Sequence, residues 1–184
     1  EGQNGYLLFD DPLGGLPEAS ALIGIPKHPF DCEDQLYFEF VLKAGQQTSC
    51  WKASVSDEDD LDVLLISMNP NGQWFVNGND TEVSYGSNIP YVVQAEITRD
   101  PESGEAGYSV SCYIQDDENS YTLLSAGVLN GFDNTRSIMK ARFEKPAQSP
   151  AGSFTLDDVL IQYLLYPNRG ENPDFQIENQ KKTF

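Results

Sequence analysis

Histidine is almost absent from this chain: His28 stands alone, beside three cysteines, two methionines and two tryptophans in 184 residues. Cys32, Cys50 and Cys112 form no CxxC pair, and there is no second imidazole, so neither zinc-finger spacing nor a histidine-based zinc cluster is present. A Ser-His-Asp or Cys-His relay would have to run through His28, which lies in the loop sequence Ile25-Pro26-Lys27-His28-Pro29-Phe30. A surface-loop histidine is the expected reading. Basic residues are scarce too, 11 Lys and Arg against 29 Asp and Glu, for a net charge of -18. That field repels phosphate backbones and anionic lipid, and it excludes nucleic acid and membrane surfaces as partners. No apolar run reaches the roughly 18 to 20 residues that a spanning helix needs. The chain opens at Glu1 without a Met, a basic stretch or an apolar h-region, so a soluble protein in mature or excised form is expected. One disulfide, Cys32 to Cys50 or Cys50 to Cys112, would suit a secreted protein, and the spacing leaves that pairing open.

What is present is a succession of short alternating stretches, rich in β-branched and aromatic residues and separated by Gly, Pro, Asn and Asp. The clearest run from Tyr6 to Asp10, Leu36 to Lys43, Ser49 to Ser56, Asp62 to Met68, Gln73 to Val76, Tyr91 to Thr98, Gly107 to Gln115, Ser120 to Ala126, Ser137 to Phe143 and Phe154 to Tyr166. They predict ten to twelve strands in all, and helix limited to a turn or two. Asn69-Pro70-Asn71-Gly72, Asn77-Gly78 and Asp100-Pro101-Glu102-Ser103-Gly104 supply hairpin turns. In Leu36 to Leu42 the even positions carry Leu, Phe, Phe and Leu, while Tyr37, Glu39 and Val41 take the other face. Gly107 to Gln115 alternates likewise. Asp62 to Met68 and Val159 to Leu165 are apolar on both faces, as for strands covered on both sides. Two packed antiparallel sheets satisfy these patterns, an all-β sandwich over residues 1–167 with a polar tail at 168–184. No fixed repeat points to a propeller or solenoid.

Four segments taken in order, Leu64 to Trp74, Tyr91 to Arg99, Gly107 to Tyr113 and Phe154-Thr155-Leu156-Asp157-Asp158-Val159-Leu160-Ile161, carry a resemblance over roughly residues 36 to 166. The chain resembles the concanavalin A-like lectin and glucanase superfamily, and LamG-like modules look similar. Galactose-binding-like jelly rolls, which share the terminal strand, are the alternative. The resemblance implies a jelly-roll sandwich whose concave sheet commonly binds glycans, often with a structural calcium. It places the chain in secretion or at the cell surface, as one domain of a larger multidomain protein.

Endo-glucanases of the superfamily carry a Glu-x-Asp-x-x-Glu strand whose alternate carboxylates flank the bond to be cut. The nearest match is Glu58-Asp59-Asp60-Leu61-Asp62-Val63, with Val63 in the place of the acid/base. A solvated acidic loop is the expected reading, because the five carboxylates in the six residues Asp57 to Asp62 repel one another unless hydrated or cation-bound. The alginate-lyase branch uses Gln-x-His, and His28 has no such context. Calcium prefers several carboxylate and carbonyl oxygens, offered at Asp10-Asp11, Asp57 to Asp62, Asp116-Asp117 and Asp157-Asp158. Asp157 and Asp158 are the expected calcium ligands, since a carboxylate in an apolar strand needs a cation or several donors.

Sugar recognition needs a flat aromatic platform together with amides, carboxylates or guanidinium groups for the hydroxyls. The faces opposite the apolar residues supply Tyr37 and Glu39, Gln94 and Glu96, Tyr113 and Gln115, and a basic set of Arg136, Lys140 and Arg142 that would favour acidic polysaccharide. Trp74, following a turn, is the loop-borne stacking candidate, whereas Trp51 alternates with Ala53 and Val55 and belongs to the core. Asn79-Asp80-Thr81 matches a glycosylation sequon, expected as a chance match. The function expected is a non-catalytic carbohydrate-binding module. The alternatives are a hydrolase or lyase of the same fold with an unrecognised carboxylate pair, and a structural or adhesion domain.

Overall fold

The computed structural model describes residues 6–11, 14, 19–25, 35–48, 50–99, 105–130, 132, 137–147 and 149–164. Twelve strands are formed among them: β1 Leu7–Asp11, β2 Ala19–Gly24, β3 Gln35–Ala44, β4 Trp51–Asp57, β5 Asp62–Met68, β6 Gln73–Val76, β7 Asn79–Ser84, β8 Pro90–Arg99, β9 Ala106–Ile114, β10 Asp117–Val128, β11 Ile138–Lys145 and β12 Gly152–Leu164. No described residue is helical. The strands make two six-stranded sheets, the first in the order β1-β12-β3-β8-β9-β10 and the second in the order β2-β11-β4-β5-β6-β7. Every recorded pair is antiparallel.

Alternation along each strand builds the core. Leu36, Phe38, Phe40 and Leu42 of β3 are buried while Tyr37, Glu39 and Val41 between them are half-buried. Leu64, Ile66 and Met68 of β5 are buried in the same way, and Val63, Leu65 and Ser67 are half-buried, so the outer side of this strand is only partly covered. Phe143 of the second sheet reaches Phe40 of the first, ring centroids 5.1 Å apart and nearly perpendicular, and Trp51 meets Phe40 at 5.9 Å. Edge-to-face contacts of this kind add about 0.5–1.5 kcal/mol each beyond the area they bury.

The turn chemistry is as the sequence predicts. Asn69 accepts the Asn71 and Gln73 amides on its side-chain oxygen, and Gly72 takes φ +79° to close the β5–β6 hairpin. Asn77 and Gly78 both have positive φ, +49° and +77°, the pair a type I′ turn needs between β6 and β7. Asp100 to Gly104 lie outside the described residues, as do His28, Cys32 and the tail at 168–184. Cys50 and Cys112 are both free thiols, so the pairing of these two does not form.

Candidate binding face and its surroundings

The first sheet has one face turned to the core and one turned outward, and cross-strand register assembles the outward face row by row. Gln162, Tyr37, Glu96 and Ser109 form one row, from β12 through β3 and β8 to β9. Leu160, Glu39, Gln94, Ser111 and Leu123 form the next, reaching β10. Val41, Val92 and Tyr113 form a third. Val92 is buried yet stands apart from the core cluster between the sheets, and it gives this outer face an apolar floor. Tyr113 and Gln115 are half-buried at its side, and the Gln115 amide extends the ladder to the Pro90 carbonyl at 2.9 Å.

A polar network holds the middle of this face. The Tyr37 hydroxyl donates to Glu39 Oε2 at 2.5 Å, and Gln94 Nε2 donates to the same oxygen at 2.7 Å. Burial, then the bond to Glu39, then the charges of Glu39, Tyr113 and Glu96 raise the Tyr37 phenol well above its ordinary range. It stays a donor at any physiological pH. Glu39, Gln94 and Tyr37 are thus held in fixed orientations, on the same surface as Glu96 and Tyr113. Sequence reading missed the most accessible member, Tyr121, which is 58% exposed on β10. Thr122 pairs with Cys112 and Leu123 with Ser111, so alternation puts Tyr121 on the outer side with Leu123, beside Tyr113. The signal was available: Tyr121 and Leu123 flank Thr122, and the buried neighbour is Leu124.

The other predicted residues are placed elsewhere. Trp74 is completely buried, packed edge-on against Trp51, Tyr85 and Tyr91 at 5.6–6.1 Å, which corrects its reading as a stacking platform. It follows a turn, yet the strand alternation of β6 points it inward with Val76. Lys140 and Arg142 lie on the outer side of the second sheet and cannot share a site with Tyr37 and Glu39. They are also occupied by carboxylates, Lys140 by Asp60 and Arg142 by Glu144 at 3.9 Å, so the expected bias toward acidic polysaccharide loses its basis. Arg136 lies outside the described residues.

The acidic run is not simply a solvated loop. Asp57 is buried, and its Oδ1 accepts the amides of Asp59 and Leu61 at 3.0 and 2.9 Å, closing the turn between β4 and β5, while Glu58, Asp59 and Asp60 are exposed. Asp157 and Asp158 sit at a β-bulge: Asp157 pairs with Val41 and Leu160 with Glu39, so two residues of β12 face one of β3. Asp158 takes φ +46° there, and its amide donates to Asp157 Oδ1 at 2.8 Å. Aspartate tolerates that left-handed backbone better than most residues. Asp158 is exposed and Asp157 half-buried, so neither is the buried carboxylate that would demand a cation. Among the described residues no group of three or more His, Cys, Asp or Glu converges to hold a metal. The pair alone does not fit calcium, which takes six to eight oxygens.

Three acidic hydrogens are held in place by the fold. Burial pushes the Cys112 thiol up from 9.0 to about 12, and the Tyr85 and Tyr37 phenols are raised as well, burial being the first cause for each. Groups whose folded pKa exceeds the unfolded value stabilise the fold fully below the unfolded pKa, and lose that contribution as pH rises through the folded one. The thermal midpoint is therefore expected to hold up to about pH 9 and fall between about pH 9 and 12. A midpoint followed by circular dichroism that stays level to pH 12 would contradict this.

No family model matches the chain, and no curated protein matches it. Solved structures do. A sialidase aligns at TM-score 0.59 and 16% identity over 85% of this chain, which spans only 15% of that protein's length. The catalytic domain of a GH131 β-glucanase from Podospora anserina aligns at 0.51 and 14% identity, covering 85% of this chain and 70% of that one. Peanut lectin aligns at 0.51 and 10% identity, covering 89% and 88%. At such identities the likeness concerns architecture alone, and with two six-stranded antiparallel sheets around one core it shows that the chain has a jelly-roll sandwich fold of the kind these structures share.

Proposed function

We propose that this chain is a non-catalytic carbohydrate-binding module that holds a neutral polysaccharide across the outer face of the first sheet. The observation that carries this reading is the convergence, on one face, of the Tyr37–Glu39–Gln94 network with Glu96, Tyr113 and the exposed ring of Tyr121. Aromatic faces take the apolar side of a pyranose, and oriented amides and carboxylates take its hydroxyls. The carboxylates on the face and the net charge of -18 disfavour an acidic glycan. The fold shared with a lectin and a glucanase domain supports the same reading. Such a module acts outside the cell or on its surface, as part of a larger protein.

Affinity electrophoresis against a panel of soluble polysaccharides, with calcium and with chelator, tests it. Tyr121→Ala and Tyr113→Ala are expected to weaken retardation about fivefold to a hundredfold, as the loss of one stacking contact does, with the melting temperature kept. Retardation by no glycan, or unchanged retardation in both variants, would overturn the assignment and leave a structural or adhesion domain as the better account. One observation favours a second reading. Glu39 and Glu96 are diagonal neighbours on β3 and β8, two carboxylates on one outer face, and glycosidases act through such a pair. Release of reducing ends, abolished by Glu39→Gln and by Glu96→Gln, would establish hydrolysis instead.

A further inference from the structure

A second recess lies away from that face, between the sheets where β10 ends beside the β4–β5 and β6–β7 turns. It is a cleft of about 670 Å³, within the roughly 300–1,000 Å³ typical of small-molecule sites. Part of its wall is apolar: Leu61 and Val128 are more than half exposed at its rim, Phe132 lines it, and Tyr108 presents its ring. That ring is fixed. Its hydroxyl bonds Ser125 Oγ at 3.1 Å, and the ring lies over Gly127, where a Cβ would stand 3.4 Å from Tyr108 Cε1. Of the polar side chains that line the cleft, three are each anchored by one atom. Asp62 Oδ1 accepts the Ser56 hydroxyl at 3.0 Å, Asn77 Oδ1 accepts the Leu65 amide at 2.9 Å, and Asn79 Nδ2 donates to the Asn77 carbonyl at 3.4 Å. Each anchor leaves the other polar atom of the group for a ligand: a carboxylate oxygen, an amide donor and an amide acceptor. Anchoring of this kind removes the ordering cost a ligand would otherwise bear.

We propose that this cleft is a second saccharide site, separate from the sheet face. Among the described residues the lining includes no Lys, Arg or His, and the chain carries a net charge of -18, which disfavours an anion. Apolar surface with the Tyr108 and Phe132 rings, set against a donor, an acceptor and a carboxylate, is the complement of a neutral sugar, whose hydroxyls both give and take hydrogen bonds. Tyr108 is turned to the core side of the first sheet, whereas Tyr121 stands on its outer side, so the two sites are not one. A domain with both binds two chains, or one chain twice, and gains avidity for dense polysaccharide without a new contact.

This inference rests on the glycan-binding reading, and the experiment separates the two. Calorimetric titration of the chain with neutral hexasaccharides of cellulose, laminarin and xylan is expected to give two equivalents for the sugar that binds. Tyr121→Ala should leave one equivalent, and Leu61→Trp, which enlarges an exposed side chain at the rim of the cleft, should leave the other. Asn79→Ala, a smaller change that spares the fold, should weaken the cleft equivalent at least tenfold. No binding of any sugar overturns the function itself. One equivalent lost in Tyr121→Ala and untouched by Leu61→Trp and Asn79→Ala overturns the cleft alone, as does a cleft that takes spermine and no sugar.

Discussion

Replacing Asp11 by Ala is expected to lower the stability of the fold by about 3–5 kcal/mol, read from the urea midpoint at constant slope. Asp11 ends β1 on the edge of the first sheet, and Lys145 ends β11 in the second. Their side chains meet at 2.6 Å with exposures of 0% and 5%, and Lys145 Nζ also donates to Ser149 Oγ at 2.6 Å. The pair ties the two sheets together at a corner with little room: Gly14, at φ +76°, bonds back to the Asp11 carbonyl, and a Cβ on it would lie 2.8 Å from the Ala151 amide. The loss expected in Asp11→Ala comes from the ammonium left buried without its counter-charge, not from the attraction alone. Asp11→Leu combined with Lys145→Met, which removes both charges, should therefore recover most of the stability. The surface pair of Lys52 and Glu144, also 2.6 Å apart, is the control, since with Lys52 partly exposed its loss should cost no more than about 1 kcal/mol. A loss in Asp11→Ala as small as in the control would mean that water reaches the corner.

The sequence shows neither of these partners as a pair, and the reason is general to this fold. Strand periodicity reports which face of a strand is buried, so ten of the twelve strands and the sandwich itself were legible. The two that were not, β2 and β7, are the outer strands of the second sheet. Ala19–Gly24 and Asn79–Ser84 cover little core, and their sequences need not alternate clearly between apolar and polar. Contacts between sheets, such as Asp11 with Lys145, join positions more than a hundred residues apart, and no local pattern encodes them. The same limit governs the candidate site. Tyr37, Glu39, Gln94, Glu96, Tyr113 and Gln115 were legible as outward-facing residues, and β3, β8 and β9 prove to be neighbours. Lys140 and Arg142 were equally legible as outward-facing, but sheet membership is a property of topology, and it sets them on the other side of the sandwich. The apolar strand around Asp157-Asp158 predicts a buried carboxylate there, but ordinary alternation turns Asp157 out beside Val41 and the bulge exposes Asp158.

Trp74 provides the sharpest test of core against ligand site, because its two substitutions should part company. Trp74→Ala is expected to cost about 3–5 kcal/mol by opening a cavity in the aromatic cluster. Trp51, Tyr85 and Tyr91 surround the ring, and the Tyr85 hydroxyl is itself held between the Gln47 and Asn69 carbonyls at 2.7 and 2.9 Å, so the walls are poorly placed to collapse. Trp74→Phe keeps much of the ring and removes an indole N–H that has no hydrogen-bond partner. An unsatisfied buried donor costs roughly 1–3 kcal/mol, which offsets a good part of the volume lost. The phenylalanine variant should therefore melt within about 1.5 kcal/mol of the parent and retain its full glycan affinity, because Trp74 is sealed from solvent and touches no ligand. A Trp74→Phe protein as unstable as Trp74→Ala would show that the indole N–H is satisfied, by a buried water or by a shift of β6. A Trp74→Phe protein of full stability that no longer bound glycan would return Trp74 to the binding site, and would require the hairpin of β6 and β7 to open when sugar binds.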